Sequence, residues 1–135
     1  MSDLKVFRYK TTTMQRIQRN ITKGYIWYTS GIVASHRALK LVEKFETLYL
    51  TNLNKNQRNY RKFQGKCNTR LYMYPDPDSK NFRWWLLATD GKGQVHELEK
   101  LQLVYDQKYK LQWNDDYEIV RVSKAGKSGE VITWR

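Results

Sequence analysis

The chain has 135 residues, 40% of them hydrophobic and 14% aromatic, which suits one ordinary domain with a real core. It holds no apolar run near the length of a bilayer span and no signal-peptide pattern, and its single cysteine, Cys67, excludes an internal disulfide. A reducing cytoplasmic setting with no membrane association is therefore expected. The formal net charge of +12 resides entirely in residues 1–75, where 15 Lys and Arg face only Asp3, Glu43 and Glu46, whereas residues 76–135 balance ten against ten. Such asymmetry predicts a polyanionic partner on one side of the molecule, DNA or RNA first of all; the plainer reading is a solvated basic surface.

Met1–Lys10 is a short start with a strand expected at Leu4–Tyr9. Thr11–Lys23 is predicted helical: Thr11, Thr12 and Thr13 are N-cap types, and Met14, Ile17 and Ile21 form an apolar stripe. Arg16, Arg19 and Lys23 fall on its other faces, and Gly24 can end it. Tyr25–Thr29 is rich in strand formers, with Ser30-Gly31 interrupting and Ile32–Ala34 continuing past a bulge. Lys23-Gly24-Tyr25-Ile26-Trp27-Tyr28 partly echoes the RNA-recognition-motif signature, whose strand aromatics stack on bases. At least half of Tyr25, Trp27 and Tyr28 are expected in the core, and the exposed ones among Tyr25 and Tyr28 are stacking candidates.

Ser35–Tyr49 is the most regular helix. Ala38, Leu41, Val42, Phe45, Leu48 and Tyr49 repeat at the spacing of one buried face. Asn54–Gly65 is a different helix, capped by Asn54, with Tyr60 and Phe63 as its only bulky anchors. Lys55, Arg58, Arg61 and Lys62 crowd it with positive charge, which Lys66 and Arg70 extend, and no acid lies between Thr51 and Pro75. Cations without local acidic partners suit a phosphate backbone. Thr69–Tyr74 reads as a strand with Leu71 and Met73 on one side and Arg70, Tyr72 and Tyr74 on the other. After the Pro75–Asp78 loop, Phe82–Thr89 reads as a central strand, apolar on both faces. Asp90-Gly91-Lys92-Gly93 is a tight-turn signal, and Val95–Leu103 either returns antiparallel or starts a short helix. Tyr117–Val122 and Val131–Arg135 are two further strands joined by the glycine-containing loop Lys124–Glu130. The expected fold is a single α+β domain, mainly an antiparallel sheet with one amphipathic helix packed on it and a second, basic helix.

Chemistry-bearing constellations are sparse. Asp76 or Asp78, an apolar strand, then Asp90 and Lys92 follow the order of the PD-(D/E)xK nucleases, in which two carboxylates hold a metal ion. The same residues are ordinary turn formers. His96 beside Glu97 and Glu99 is a weak metal or acid–base candidate. Cys67, next to Lys66 and near Arg70, is a thiol whose pKa those cations would lower. With two histidines and one cysteine no standard zinc spacing exists, and no catalytic residue, metal or cofactor is assigned.

The segments KGYIWYTSG, RALKLVEKF, NQRNYRKFQGK, RLYMYP and FRWWLLATDGKGQVHELEKL together resemble small uncharacterised proteins of bacterial conjugative plasmids and integrative elements, over about residues 23–134. The resemblance implies a mobile-element setting and transfers no functional residue. The reading drawn from the residues is a non-enzymatic nucleic-acid-binding protein. Arg16, Arg19, Lys23, Lys55, Arg58, Arg61, Lys62, Lys66 and Arg70 would meet phosphates, and exposed members of Tyr25, Tyr28, Tyr60, Tyr72 and Tyr74 would stack. The alternatives are a protein–protein effector docking on a nucleic-acid-processing or host-defence complex, and a metal-dependent nuclease.

Overall fold

The computed structural model describes residues 10–76, 80–106, 108, 110–114, 117–123 and 130–135. The strand expected at Leu4–Tyr9, the Pro77-Asp78 pair and the loop at 124–129 lie outside the described residues. The elements run α1 (Lys10–Thr22), β1 (Trp27–Ala34), α2 (Ala38–Tyr49), α3 (Lys55–Phe63), β2 (Thr69–Pro75), β3 (Asn81–Ala88), α4 (Gln94–Leu98), β4 (Gln102–Leu103), β5 (Gln112–Asn114), β6 (Tyr117–Ser123) and β7 (Glu130–Trp134). The class is α+β, as expected. One antiparallel sheet has the order β2-β3-β1-β4, and a three-stranded sheet has the order β5-β6-β7.

The double-sided apolar run of Phe82–Thr89 does what its pattern requires. β3 lies between β2 and β1 and is covered on both faces. Trp85 and Leu87 face a core built with Met14, Ile17 and Ile21 of α1 and with Trp113 and Ile119 of the smaller sheet. Leu86 and Ala88 face Phe45 and Tyr49 of α2 and Val95 of α4. Ile17, Leu86 and Leu87 are wholly buried, each contributing about 1.5–3 kcal/mol. Because the first cluster joins residues of α1 to residues beyond Pro75, the basic and neutral halves of the chain share one core.

Three local expectations are revised. β1 is continuous, pairing with β3 without a break from Trp27↔Ala88 to Ala34↔Asn81, so Ser30-Gly31 makes no bulge. Ser35 opens a 3-10 turn, Ser35–Arg37, rather than capping α2 with its side chain. Asp90-Gly91 does not close a hairpin. Lys92 instead forms a parallel bridge with Lys66, α4 follows, and β4 pairs with β1. Gly91 adopts φ +122°, and a Cβ there would meet Cys67 N at 2.8 Å and Gly65 O at 2.9 Å. The turn glycine therefore serves close backbone approach rather than strand reversal.

Tyr28, 9% exposed, donates its hydroxyl to Lys110 O at 3.0 Å. Burial, reinforced by the Asp106 carboxylate, pushes its pKa up to about 12. Because the folded value exceeds the unfolded value of 10.0, the neutral phenol stabilises the fold below pH 10, and that contribution is lost as pH rises from 10 to about 12. Tyr49 and Tyr72 are shifted upward too, mainly by burial. Urea unfolding between about pH 9 and 12 is expected to show a steep fall in stability. Tyr28→Phe should remove about 2–3 kcal/mol of that fall, and an unchanged slope would contradict the assignment.

Candidate nucleic-acid interface

Helix α3 carries the candidate interface. Asn54 caps it through a full capping box: Asn54 Oδ1 accepts from Gln57 N at 2.9 Å, and Gln57 Oε1 accepts from Asn54 N at 3.0 Å. The expected anchoring is reversed. Tyr60 and Phe63 are exposed, at 64% and 89%, while Arg58 is buried at 7%. The Arg58 guanidinium donates to Leu53 O (2.9 Å), Thr51 O (2.7 Å) and Thr69 O (2.6 Å), and to the Tyr25 hydroxyl (3.2 Å). Burial lowers its pKa, opposed by the adjacent Tyr25 oxygen. Arg61 is likewise turned inward, donating to Cys67 O from Nε (3.1 Å) and Nη2 (2.8 Å). Two arginines expected on phosphates are thus the pins that hold the helix down. The basic helix has no apolar face to bury, and loop and strand carbonyls need donors.

Tyr25, Tyr28 and Tyr72, expected as stacking platforms, are 7%, 9% and 6% exposed and belong to the core beneath α1. Tyr74 packs on Trp113 with ring centroids 4.9 Å apart. The RNA-recognition-motif echo therefore does not extend to an open aromatic strand face, because both faces of the sheet are covered.

The remaining cations do converge. A groove of about 840 Å³ lies between the C-terminal end of α1, helix α3 and the segments around Asn68 and Asp90. Lys23 just beyond α1, Lys55 and Lys62 of α3, Lys66 and Arg70 line it, with Asp90 as the one carboxylate on its wall among the described residues. Lys55, Asn59 and Lys62 share the groove-side face of α3, while Tyr60 and Phe63 look outward beside it. Arg70 lies over the Tyr25 ring, 5.6 Å from its centroid. Arg16 and Arg19 are exposed on α1 and do not line this groove. Phe63, expected as an anchor and found exposed, is the aromatic beside the groove that sequence reasoning missed. Its signal was present, since a helix with two aromatics and no other apolar residue cannot bury a stripe.

The other chemical candidates disperse. Asp76 bonds Asn81 O through its N–H (2.9 Å) at one end of β3, and Asp90 follows the other end. An eight-residue strand separates them by on the order of 25 Å, whereas a shared ion needs oxygens about 2.0–2.6 Å away. Asp90 accepts from Trp27 Nε1 at 2.6 Å. His96 Nε2–H donates to Thr89 O at 2.8 Å, and its ring packs edge-on against Trp27 at 5.9 Å. Among the described residues no group of three His, Cys, Asp or Glu side chains could hold a metal ion, and no helix is long and apolar enough to cross a membrane. Cys67 is 2% exposed, and burial raises its pKa, outweighing Arg61, so the activation expected from neighbouring cations does not occur.

No protein family, curated protein or solved structure matches the chain.

Opposite mutational outcomes test the inverted helix. Arg58→Ala leaves three carbonyls without their donor and should cost about 3–5 kcal/mol in urea unfolding, with Arg58→Lys recovering little because an ammonium cannot fork to all three. Phe63→Ala should change stability by less than about 0.5 kcal/mol.

Proposed function

We propose that the protein binds nucleic acid through α3 and the groove beside it. The observation that carries this reading is the pairing of two exposed aromatic rings, Tyr60 and Phe63, with a groove whose wall, among the described residues, has four lysines and Arg70 beside the structural Arg58, against the single carboxylate of Asp90. Lysines set side by side without acids repel one another, and phosphates relieve that repulsion while releasing counterions. An exposed ring flanked by cations is the arrangement that stacks on unpaired bases. The mobile-element setting implied by the sequence resemblance supplies such polymers. The roles are therefore Lys23, Lys55, Lys62, Lys66 and Arg70 for phosphates and Tyr60 and Phe63 for bases; Arg58 and Arg61 position the helix.

Five cations engaging a single strand give a log–log salt slope of about −3.5, a loss of about 100-fold between 50 and 200 mM salt. Fluorescence anisotropy with labelled oligonucleotides reads both. Tyr60→Ala and Phe63→Ala should each weaken single-strand binding by about tenfold without changing the slope. Absence of binding at low salt sinks the proposal.

The 89% exposure of Phe63 also favours a second reading, an effector whose ring is a contact for a protein of a nucleic-acid-processing complex. A partner that survives nuclease treatment in a pull-down, and is lost with Phe63→Ala, would select that reading.

A further inference from the structure

The groove contains polar groups that phosphate alone does not satisfy. Asn68 is 7% exposed, and its amide is fixed: Nδ2 donates to Arg58 O at 3.0 Å, so Oδ1 is the atom left over. That oxygen is buried and has no hydrogen-bond partner. Two residues on, and so on the same side of the chain, the buried Nε of Arg70 has no partner either. Both residues line the groove. An orphaned acceptor and an orphaned donor are each costly in a protein interior, about 1–3 kcal/mol, and they stand out where nearly every buried polar group is paired.

An ionised phosphate oxygen cannot serve Asn68 Oδ1, which needs an N–H or O–H donor from its ligand. Arg70 Nε needs an acceptor. The lysines around them need anionic oxygens. A nucleotide unit offers all three, with base N–H groups, base carbonyl or ring-nitrogen acceptors, and its phosphate. The volume of about 840 Å³ falls within the range of sites that enclose one small ligand. Inside a duplex the Watson–Crick edge is held in the pair and the other edges lie on the floor of a groove, so a seat that encloses the base suits one that has left the stack.

We propose that this groove takes a single unpaired nucleotide of a strand, with Asn68 Oδ1 accepting from the base and Arg70 Nε donating to it. Neighbouring bases stack outside on Tyr60 and Phe63. The inference rests on the nucleic-acid reading above and deepens it from a polyanion surface to a site for single strands. Because both orphaned atoms are shielded from water, entry of the base requires the side chains around them to shift while Arg70 Nε stays within reach of it. The fixed capping box of α3 and the backbone pairing of Asn68 with Thr89 keep the walls in place as it does so.

The test compares a labelled single strand of about 12 nucleotides with the matching duplex at about 0.1 M salt, using adenosine 5′-monophosphate and ribose 5-phosphate as competitors. The single strand should bind about tenfold more tightly than the duplex, and the nucleotide should compete about tenfold better than the sugar phosphate. Asn59→Trp, at an exposed groove position, should fill the space and bring single strand and duplex to within about twofold, with the melting temperature unchanged. Equal binding of strand and duplex by the unaltered protein overturns the groove assignment and leaves the polyanion reading standing. Equal competition by the two small molecules does the same, whatever the variant does. A groove that takes the free nucleotide but shows no strand preference makes the free nucleotide its ligand and overturns the assignment to a strand. No binding of either polymer at low salt overturns both readings.

Discussion

The guanidinium of Arg58 gathers the backbone oxygens of Thr51, Leu53 and Thr69, which belong to the loop before α3 and the start of β2. Hydrogen bonds to a charged donor contribute about 1.5–3 kcal/mol each, and three of them offset the desolvation of one buried cation. No apolar stripe is available to dock α3, so this polar junction takes the place that packing takes for α1 and α2. It also sets the rotation of the helix. With position 58 inward, positions 55 and 62 fall on the groove wall, one turn to either side, and positions 60 and 63 face solvent.

The opposite wall is held by backbone contacts. Lys92 N–H donates to Gly65 O, and Cys67 N–H donates to Lys92 O, which laces the segment after β3 to the segment before β2. Only a glycine at position 91 permits that approach. Asp90 is tethered to Trp27, and Arg61 closes on Cys67 O. The cationic side chains of the groove thus project from a rigid frame. Their mutual repulsion is carried in the free protein, and under the proposed function an anionic ligand would relieve it on binding.

Much of the architecture was legible because burial imposes a period. The alternating and double-sided apolar patterns of Thr69–Tyr74 and Phe82–Thr89 specified which side chains go to which face, and the stripe of Ser35–Tyr49 specified α2. Turn chemistry was less informative. Asp90-Gly91 carries the residue types of a hairpin, yet glycine is needed there for contact with another segment, and both uses select the same residue. Tyr25, Tyr28 and Tyr72 were misassigned for a related reason. A tyrosine beside cations reads alike whether its ring is exposed or its hydroxyl is bonded within a core, as Tyr28 is to Lys110 O and as Tyr72 is to the Asn20 amide.

By itself the chain determined its class, its central strand and the concentration of positive charge in its first 75 residues, because hydrophobic periodicity and net charge are local and additive. Tertiary structure alone decided which cations line the groove with free ends and which are structural. Arg58 and Lys62 are chemically similar in the sequence and opposite in the fold. The difference is the presence of three accepting carbonyls opposite one of them, contributed by residues that only folding brings within reach.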